Sequence, residues 1–284
     1  MDYKEEITDY YDSSQRFYRI FVYNNETLGM HLGFWDKNTK DRQQAVLNEN
    51  QAIIDLAKVR RGQKVLDAGC GVGGTAIYIA KKTAAFVVGI TLSQKQVYLA
   101  KKNAKRHKVD KLTQFFCQDY SKTNFDNNTF DVVYGIESIC HAYPKSKFLE
   151  EAYRILKPRG KLVIADGYTS RLPKTIKEKE IIKKFTWAFA LKEIIPKAEM
   201  TSAISDTGFV NVKETGKTNS ILPSVNYFSY AGVTLFPMVK ILSFLPIKLL
   251  KTVYRNNVAA VSLYEGIKKG LAAYYLHYAE KPRV

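Results

Sequence analysis

A glutamate and a histidine four residues apart follow a strongly apolar segment in the middle of the chain. Glu137 stands just past a predicted buried strand at residues 131–135, and His141 comes one helical turn later. At this spacing both side chains can face the same side. A half-buried glutamate has a pKa that its surroundings set, so it can act as a base or balance a positive charge. A purely structural hydrogen bond between the two side chains is the alternative interpretation.

A glycine-rich turn is the second feature with chemical meaning. An apolar segment ends at Asp67, and glycines follow it at Gly69, Gly71, Gly73 and Gly74. A strand, a tight glycine turn and a helix N-terminus in this order let the backbone approach a nucleotide-like ligand closely. The glycine spacing by itself is a weak signal, and a turn that only closes a strand–helix unit is the alternative. The acidic residue inside the strand makes the pattern more specific.

Polar residues follow the next two predicted strands as well. Thr91 and Leu92 come at the end of the second strand, Gln96 lies in the first turn of the next helix, and Asp119 and Tyr120 follow the third strand. Many nucleotide-binding units carry an acidic residue after the second strand, and Thr91 in its place counts against a generic NAD site. The carboxylate of Asp119 can accept a hydrogen bond from an adenine amine. A solvent-exposed loop residue is the alternative there.

All of these residues depend on alternating strands and helices for their positions. Apolar runs predict strands at 64–68, 86–91, 113–117, 131–135 and 161–166, with helices at 74–82, 93–108 and 145–156 between them. Ser93 is a predicted N-cap. Such alternation predicts an α/β fold, a doubly wound Rossmann-like parallel sheet with a ligand at the carboxyl ends of its strands. Two later segments, 209–214 and 272–279, are expected to add an antiparallel edge pair, which makes a seven-stranded sheet.

The chain is predicted to have four parts. Residues 1–60 form an N-terminal helical and aromatic lid segment, 61–167 the ligand-binding core, 168–270 an apolar cap insertion with one core strand, and 271–284 the final strand and tail. Four aromatic residues of the lid and the cap are candidate substrate contacts, namely Tyr11, Tyr18, Trp35 and Trp187. Helices that merely cover the core are the alternative to a substrate-binding cap.

The cap insertion contains an apolar stretch, residues 233–250, that two prolines interrupt. Pro237 and Pro246 are expected to break it into short helical pieces rather than one long helix. Since no apolar run reaches 18 residues, no transmembrane helix is expected. The first residues also lack the features of a secretory signal.

Composition and charge limit the class of protein. The 284 residues suit one large domain, or a domain with a cap, and the three cysteines show no C-x-x-C spacing, which favours a reducing cytosol. The net charge of +17 is spread along the chain without a nucleic-acid recognition motif, so no nucleic-acid partner is expected, and no metal site is predicted either. A solvated surface is the first interpretation of this charge, and an anionic membrane surface or substrate is the alternative. We therefore expect a cytoplasmic protein, with peripheral membrane contact left open.

Three segments resemble methyltransferases that use S-adenosyl-L-methionine. Asp-x-Gly-x-Gly at 67–71 is similar to motif I of the class I enzymes, in which the glycines pass under the methionine part of the cofactor. Gly-Ile-Thr-Leu-Ser at 89–93, with Gln96 behind it, resembles tocopherol methyltransferases and cyclopropane fatty acid synthases. Ile-Glu-Ser-Ile-Cys-His-Ala at 136–142 resembles Ile-Glu-Ala-Thr-Cys-His-Ala of sterol 24-C-methyltransferases. The similarity is dense over residues 10–166 and thin over 215–260, and Thr91 and Arg159 depart from it.

The resemblance implies a cofactor, a reaction and a set of site residues. Glu137 would be catalytic with His141 as its partner, and S-adenosyl-L-methionine would be bound by Asp67, Gly69, Gly71, Gly73, Thr91, Leu92, Gln96, Asp119, Tyr120 and Ile136. The implied reaction transfers a methyl group to a carbon of an apolar small molecule, such as a sterol, an isoprenoid or a lipid-like acceptor. Methylation of an alkene creates a carbocation, which aromatic faces can stabilise and a carboxylate can balance.

Two other functions stay open on the sequence. An N- or O-methyltransferase of a small amine or phenol would need the same cofactor site but no carboxylate facing a carbocation. A methyltransferase-fold binding protein without catalysis would need only the cofactor site. The identity of the acceptor, the atom that is methylated and the oligomeric state are not fixed by the sequence.

Overall fold

A seven-stranded sheet forms the centre of the molecule. The computed structural model describes residues 2–242 and 248–283, and the side chains of residues 2–234 and 250–283. The strands are β1 (Lys64–Ala68), β2 (Phe86–Thr91), β3 (Thr113–Cys117), β4 (Phe130–Ile136), β5 (Leu156–Thr169), β6 (Val210–Gly216) and β7 (Ala272–Glu280). Their order is β3-β2-β1-β4-β5-β7-β6, with β1 to β5 parallel and β7 antiparallel to both of its neighbours. The predicted α/β sheet with an antiparallel edge pair is confirmed.

Helices connect and cover these strands. They are α1 (Tyr3–Phe21), α2 (Arg42–Ala57), α3 (Gly74–Thr83), α4 (Gln94–Arg106), α5 (Lys145–Ile155), α6 (Ile176–Ala188), α7 (Lys197–Asp206), α8 (Thr218–Leu242) and α9 (Lys248–Lys268). A short 3₁₀ turn, Ile139–His141, follows β4. Ser93 caps α4 as predicted, because its hydroxyl accepts a hydrogen bond from the backbone N–H of Gln96 at 3.0 Å.

The side chains of the central strands alternate between two apolar layers. In β1, Val65 packs into the layer that contains α2, α3 and α4, whereas Leu66 packs into the layer that contains α5 and α7, and both side chains are buried. Each such side chain contributes about 1.5–3 kcal/mol when it is fully buried. Because both faces of the sheet are covered, the strands are continuous apolar runs in the sequence. This is why β1 and β2, which are almost wholly buried, have the bounds that were predicted.

A further group of helices packs together above the carboxyl ends of the strands. α1, α6 and α8 all contact α9. The hydroxyl of Tyr10 on α1 donates to the side chain of Asn256 on α9 at 3.2 Å, and the guanidinium of Arg255 donates to the carbonyl of Trp187 on α6 at 2.8 Å. These helices come from both ends of the chain and from the long segment after β5, so their packing encloses the strand ends from the side opposite the sheet.

The start of β5 differs from the prediction. The strand begins at Leu156 and not at residue 161, so the segment 157–160 lies inside the strand instead of forming a turn before it. Phe130 pairs with Leu156, whereas Val132 pairs with Lys161, and the extra residues form a bulge. A bulge lets the hydrogen-bonded pairing of two strands continue on both sides of inserted residues. Arg159, at a positive φ of 63°, lies in it.

The expected break of α8 at Pro237 is wrong, because the helix continues through this residue to Leu242. A proline removes only its own N–H from the helical hydrogen bonds, and its neighbours keep theirs. Pro246 and most side chains of the apolar stretch 233–250 lie outside the described residues. Within the described part of the chain, none of the helices combines the length and the apolarity that crossing a membrane requires.

Replacing Leu149 by alanine should destabilise the fold without touching the strand ends that face a ligand. Leu149 on α5 is fully buried, and the cavity left by Leu149→Ala should lower the free energy of unfolding by about 2–5 kcal/mol. The next residue on the same helix, Glu150, is exposed, and Glu150→Ala should change it by less than about 0.5 kcal/mol. Urea titrations followed by circular dichroism measure both variants. An equal loss in the free energy of unfolding for the two variants would contradict the packing of α5 against the sheet.

Candidate active site

An open cavity of about 200 Å³ lies at the carboxyl ends of the central strands. The strand order reverses between β1 and β4, and open α/β sheets bind ligands in the crevice outside such a switch point. The glycine turn after β1 lines the cavity, together with the loop of residues 28–32 and side chains from α1, α6 and α9. The sheet therefore provides the base of the cavity, and the helical layer provides its walls.

The glycine turn is tightly packed and can exist only with glycines. Gly69 has a φ of 93° and Gly71 a φ of 51°, both in the left-handed region that favours glycine. A Cβ on Gly71 would lie 2.9 Å from Cε of Met30, and a Cβ on Gly69 would lie 2.4 Å from Cβ of Ser138. The turn is thus held between the loop of residues 28–32 and the segment that follows β4.

Most of the predicted cofactor residues line this one cavity, namely Asp67, Gly69, Gly71, Thr91, Leu92, Gln96, Tyr120 and Ile136. The hydroxyl of Thr91 donates to Oε1 of Gln96 at 2.6 Å, so the two buried side chains are fixed together. The hydroxyl of Tyr120 donates to the carbonyl of Ser138 at 2.9 Å. These groups meet because they follow strands that run in the same direction and end at the same edge of the sheet.

Two predicted cofactor residues do not line the cavity. The Cβ position of Gly73 faces the ring of Phe115 at 3.1 Å, so this glycine serves the packing of α3 on the sheet. Asp119 instead forms an ion pair with Lys4 at 2.7 Å. Its neighbour Gln118 lines the cavity. Asp119 faces Lys4 on α1, and its contact with an adenine amine stays a prediction.

Glu137 is held in place by two hydrogen bonds to one carboxylate oxygen. Oε1 accepts from the backbone N–H of Leu32 at 2.9 Å and from the hydroxyl of Tyr274 at 3.2 Å. Burial raises the pKa of Glu137 to about 8, and the negative charge of Glu49 adds to this effect, while His31 opposes it. Its φ of 47° is unusual for a residue other than glycine.

The partners of Glu137 belong to a network that the sequence did not reveal. Glu49 on α2 is fully buried. One of its oxygens accepts from Nδ1 of His31 at 2.7 Å and from the backbone N–H of Gly33 at 3.0 Å, and the other accepts from the hydroxyl of Tyr274 at 2.8 Å. Tyr274 therefore joins the carboxylates of Glu49 and Glu137. Because these residues lie far apart in the chain, no local pattern could have found them.

His141 does not hold the carboxylate of Glu137, contrary to one expectation for the pair. Its Nε2 lies 2.9 Å from the hydroxyl of Tyr11 on α1, with the two rings edge to face. The expected shared side of Glu137 and His141 assumed an α-helix, whereas the backbone turns at Glu137 and continues as a 3₁₀ turn. Burial lowers the pKa of His141 to about 4, despite an opposing effect of the Ala190 carbonyl. The ring is neutral at pH 7.

The four candidate substrate contacts separate into two pairs. Tyr11 and Tyr18 on α1 line the cavity. Trp35 does not, because its indole N–H donates to the hydroxyl of Ser224 at 2.8 Å between the loop and α8. Trp187 is half-exposed and packs against Arg255. The apolar wall consists instead of side chains from α6, the segment after it and α9, namely Phe185, Phe189, Leu191, Ile194 and Leu263.

The cavity has an acidic base and few positive groups. Asp67, Glu137 and Asp166 line it, and burial raises the pKa of Asp67 to about 7 and that of Asp166 to about 6. Among the described lining residues there is no lysine or arginine, and only His31 and His141 can carry a positive charge. The described residues also contain no cluster of His, Cys, Asp and Glu that could hold a metal ion.

These residues fit S-adenosyl-L-methionine. The glycine turn lines the cavity and carries no side chains at Gly69 and Gly71, so a ligand can approach its backbone closely. Gln96, Gln118 and Tyr120 offer amide groups and an aromatic ring where an adenosine would bind, and Asp67 offers a carboxylate for an ammonium group. A sheet of this order with such a site defines the class I S-adenosylmethionine-dependent methyltransferase fold. The predicted cofactor, S-adenosyl-L-methionine, is confirmed.

The chain belongs to the family described as mycolic acid cyclopropane synthetase, whose sequence profile matches residues 1–215. 24-Methylenesterol C-methyltransferase 3 of Arabidopsis thaliana is 36% identical over 176 residues, which are 61% of this chain and 49% of that protein. Sterol 24-C-methyltransferase erg6 of Schizosaccharomyces pombe is 28% identical over 231 residues, 80% of this chain and 59% of that protein. The chain spans about half the length of the curated relatives it matches.

Solved structures show the same fold at low sequence identity. The cyclopropane synthase MmaA2 of Mycobacterium tuberculosis superposes with a TM-score of 0.83 at 17% identity, over 98% of each chain. At this identity the likeness concerns the fold. It extends over the helical layer as well as the sheet, because nearly all of both chains is covered. The resemblance to cyclopropane synthases and sterol methyltransferases inferred from the motifs is therefore confirmed.

Gly71→Ala should weaken cofactor binding at least tenfold while leaving the fold intact. The added methyl group would occupy the space against Met30 in the cavity wall. Gly62→Ala is a matched control, because Gly62 also has a positive φ, 81°, but nothing lies within 4 Å of its Cβ position. Both variants carry a similar backbone penalty, of order 1 kcal/mol. Calorimetry with S-adenosylmethionine should show at least a tenfold loss for Gly71→Ala alone, and unchanged affinity there would refute the cofactor position.

Proposed function

We propose that this protein is an S-adenosylmethionine-dependent methyltransferase that methylates a carbon of an apolar small molecule, of the sterol, isoprenoid or lipid type. The observation that carries the proposal is a buried carboxylate, Glu137, in a cavity whose walls from α1, α6 and α9 are mostly apolar and aromatic. Such a cavity suits an acceptor that is uncharged before the reaction and positively charged during it. The sterol C-methyltransferase relatives support the same reaction type.

Each part of the cavity has a task in this reaction. The bound cofactor supplies an electrophilic methyl group. The apolar wall from α6 and α9 excludes water and aligns an electron-rich carbon of the acceptor, which is most of what such a transfer requires. The rings of Tyr11 and Tyr18 offer π faces to a developing positive charge. Tyr11 also ties α1 to His141, so this wall is fixed across the cavity.

Glu137 completes the reaction by balancing the charge on the acceptor and taking a proton from it. Its Oε1 is occupied by the N–H of Leu32 and the hydroxyl of Tyr274, so Oε2 is the oxygen that accepts the proton. Tyr274 also donates to Glu49 at the shorter distance of 2.8 Å. Since Tyr274 has a single hydroxyl proton, it can donate fully to Glu49 once Glu137 carries a proton on Oε2.

The absence of lysine and arginine from the described lining residues bears on the acceptor. Phosphate and diphosphate groups are normally bound by such cations or by metal ions. An acidic base and an apolar wall instead favour an acceptor without phosphate at this position. The exposed Tyr227, Tyr230 and Val233 on α8 support the further expectation that the protein meets a membrane surface, where apolar acceptors are found.

The N- or O-methyltransferase alternative is supported less well. An amine acceptor must lose its proton before it attacks, and a phenol must lose one during attack. His141, one of the two histidines that line the cavity, is a weak base because burial lowers its pKa to about 4. A binding protein without catalysis would have no use for a carboxylate held by two donors in an apolar cavity.

Glu137→Gln tests the proposal because it keeps the shape of the side chain and removes the charge. Turnover should fall by roughly a hundredfold or more, the scale of general-base effects. Affinity for the cofactor should barely change, because Gly69, Gly71 and Gln96 are untouched. The measurement is transfer of a labelled methyl group to a panel of sterols, isoprenoids, quinols and unsaturated phospholipids. Glu150→Gln is the control, because Glu150 is exposed. Near-normal turnover of Glu137→Gln would favour the N- or O-methyltransferase alternative.

Turnover should also rise with pH, because Glu137 must be ionised to take a proton. Burial and the charge of Glu49 raise the pKa of Glu137 to about 8, so most of it is protonated at pH 7 and becomes a base as the pH rises. The positive charge of the bound cofactor favours the carboxylate, so the midpoint should lie at or below this value. Initial rates from pH 6 to about 9.5 at saturating cofactor measure it. A rate that falls over this range would contradict the role of Glu137 as a base.

A further inference from the structure

One face of helix α6 is exposed and carries large apolar side chains. Ile176, Lys183 and Trp187 follow one another at intervals of seven and four residues, so they lie one above another along this face. Ile176 is 80% exposed, Trp187 is 50% exposed, and Lys183 is exposed as well. Leu172, in the loop that leads into the helix, is 75% exposed. Three large apolar side chains thus meet water along a single helix and its loop.

Unpaired lysines surround these apolar side chains. Five lysines between residues 174 and 187 are exposed, namely Lys174, Lys177, Lys179, Lys183 and Lys184. The ion pairs formed by the described residues use other cations. The end of α9 adds the exposed Lys268 and Lys269 beside the loop, because the guanidinium of Arg171 donates to the carbonyl of Lys269 at 3.0 Å.

The loop before α6 neutralises one of the two acidic residues in this segment. The guanidinium of Arg171 donates to both carboxylate oxygens of Glu178, at 2.7 and 3.0 Å, and the backbone N–H of Lys174 donates to the same carboxylate at 2.6 Å. The other acidic residue is the exposed Glu180. With six basic and two acidic side chains, residues 171–187 carry a net charge of +4. The exposed face of α6 is therefore both apolar and strongly basic.

The opposite face of α6 belongs to the cavity. Phe185 and Phe189 line the cavity, and Ile181 is buried. Since α6 packs against α9, its orientation is fixed, with one face toward the cavity and the other toward solvent. A surface that binds the exposed face lies within about one helix diameter, roughly 10 Å, of the apolar wall.

An anionic lipid bilayer complements this face better than a nucleic acid does. Lysines are attracted to anionic headgroups, while aliphatic side chains and tryptophan enter the boundary between headgroups and acyl chains. Nucleic-acid phosphates would pair with the lysines equally well. They would leave the exposed Leu172 and Ile176 without an apolar partner.

We propose that the exposed face of α6, together with the loop of residues 171–175, docks on a membrane that contains anionic phospholipids. Leu172, Ile176 and Trp187 enter the interface, and the lysines around them contact the headgroups. The inference rests on the proposed function for the reason to meet a membrane, which is an apolar acceptor. Its test measures lipid binding and not methyl transfer, so either one can fail without the other.

Vesicle sedimentation with the full chain tests the charged and the apolar contacts separately. The wild-type protein should bind phosphatidylcholine vesicles that contain about 30% phosphatidylglycerol, and it should bind them less at high salt. Lys183→Gln with Lys184→Gln should lower the partition coefficient about tenfold or more. Leu172→Ser with Ile176→Ser should lower it at least tenfold. Because these four side chains are exposed, the melting temperatures should change little. A wild-type protein that binds no vesicles at low salt would refute the proposal.

A matched pair of lysines on another face shows whether the binding is local. Lys101→Gln with Lys105→Gln removes the same charge from exposed positions on α4, which packs against β2 and β3, and it should leave vesicle binding nearly unchanged. An equal loss in this control would mean that binding follows the total charge. A loss confined to Tyr230→Ser would place the contact on α8. Binding of a mixed-sequence DNA duplex in place of vesicles would assign the lysines to nucleic acid, and each of these three results would overturn the proposal.

The fluorescence of Trp187 reports whether this face reaches the acyl chains. The chain has two tryptophans, Trp35 and Trp187, and Trp35 lies between its loop and α8. Vesicles with brominated acyl chains should quench part of the wild-type emission. Trp187→Phe, in which Trp35 is the remaining tryptophan, should show no such quenching. Membrane-bound protein with the same quenching in the wild type and in Trp187→Phe would contradict the docking of α6.

Discussion

The carboxylate of Glu49 lies fully buried on α2 and accepts hydrogen bonds from the ring of His31, the backbone N–H of Gly33 and the hydroxyl of Tyr274. A buried carboxylate without such partners would be strongly unfavourable, and removing one partner of a buried ion pair costs about 3–5 kcal/mol. The requirement to satisfy this one charge therefore fixes the loop that contains His31 over the glycine turn. It also ties β7, which lies between β5 and the edge strand β6, to the site through Tyr274.

The same network sets the chemistry of Glu137. Tyr274 donates to Glu49 and lies within hydrogen-bond distance of Glu137. A second negative charge close to Glu49 is unfavourable, so Glu137 is protonated more readily than an ordinary glutamate. A carboxyl that is neutral at rest can be buried in an apolar cavity, and it becomes a base when a positive charge approaches. The structure thus places at the site a carboxyl group that becomes a base when it is needed, with the hydrogen-bonded side chains of Glu49 and His31 behind it.

The two ends of the cavity differ in polarity: the polar end belongs to the shared fold, and the apolar end faces the acceptor. The polar end, with the glycine turn and Gln96, lies at the strand ends that class I methyltransferases share. The apolar end is built by α6, the segment after it and α9. Since the chain spans about half the length of those relatives, the acceptor has to be inferred from the wall itself, from Phe185, Phe189 and Leu263.

The sequence by itself determined the sheet, the glycine turn and the position of Glu137. These depend on local patterns: apolar runs buried on both faces, a turn that only glycine can make, and residues that directly follow strands. Which of two neighbouring side chains lines the cavity, as with Gln118 and Asp119, depends on the direction of a single side chain, and a local pattern does not fix that direction.

Only the tertiary structure decided how distant side chains meet. His31, Glu49 and Tyr274 come from a loop, a helix and the last strand, and no pattern within any of these segments marks them as partners of Glu137. The same holds for Tyr11, which binds His141, and for Trp35 and Trp187, which turn away from the cavity that their type and segment suggested. The local sequence determines which helix or strand forms and which side chains follow it. Long-range packing determines which of these side chains meet in the buried cavity, and their surroundings there determine whether each titratable group is charged.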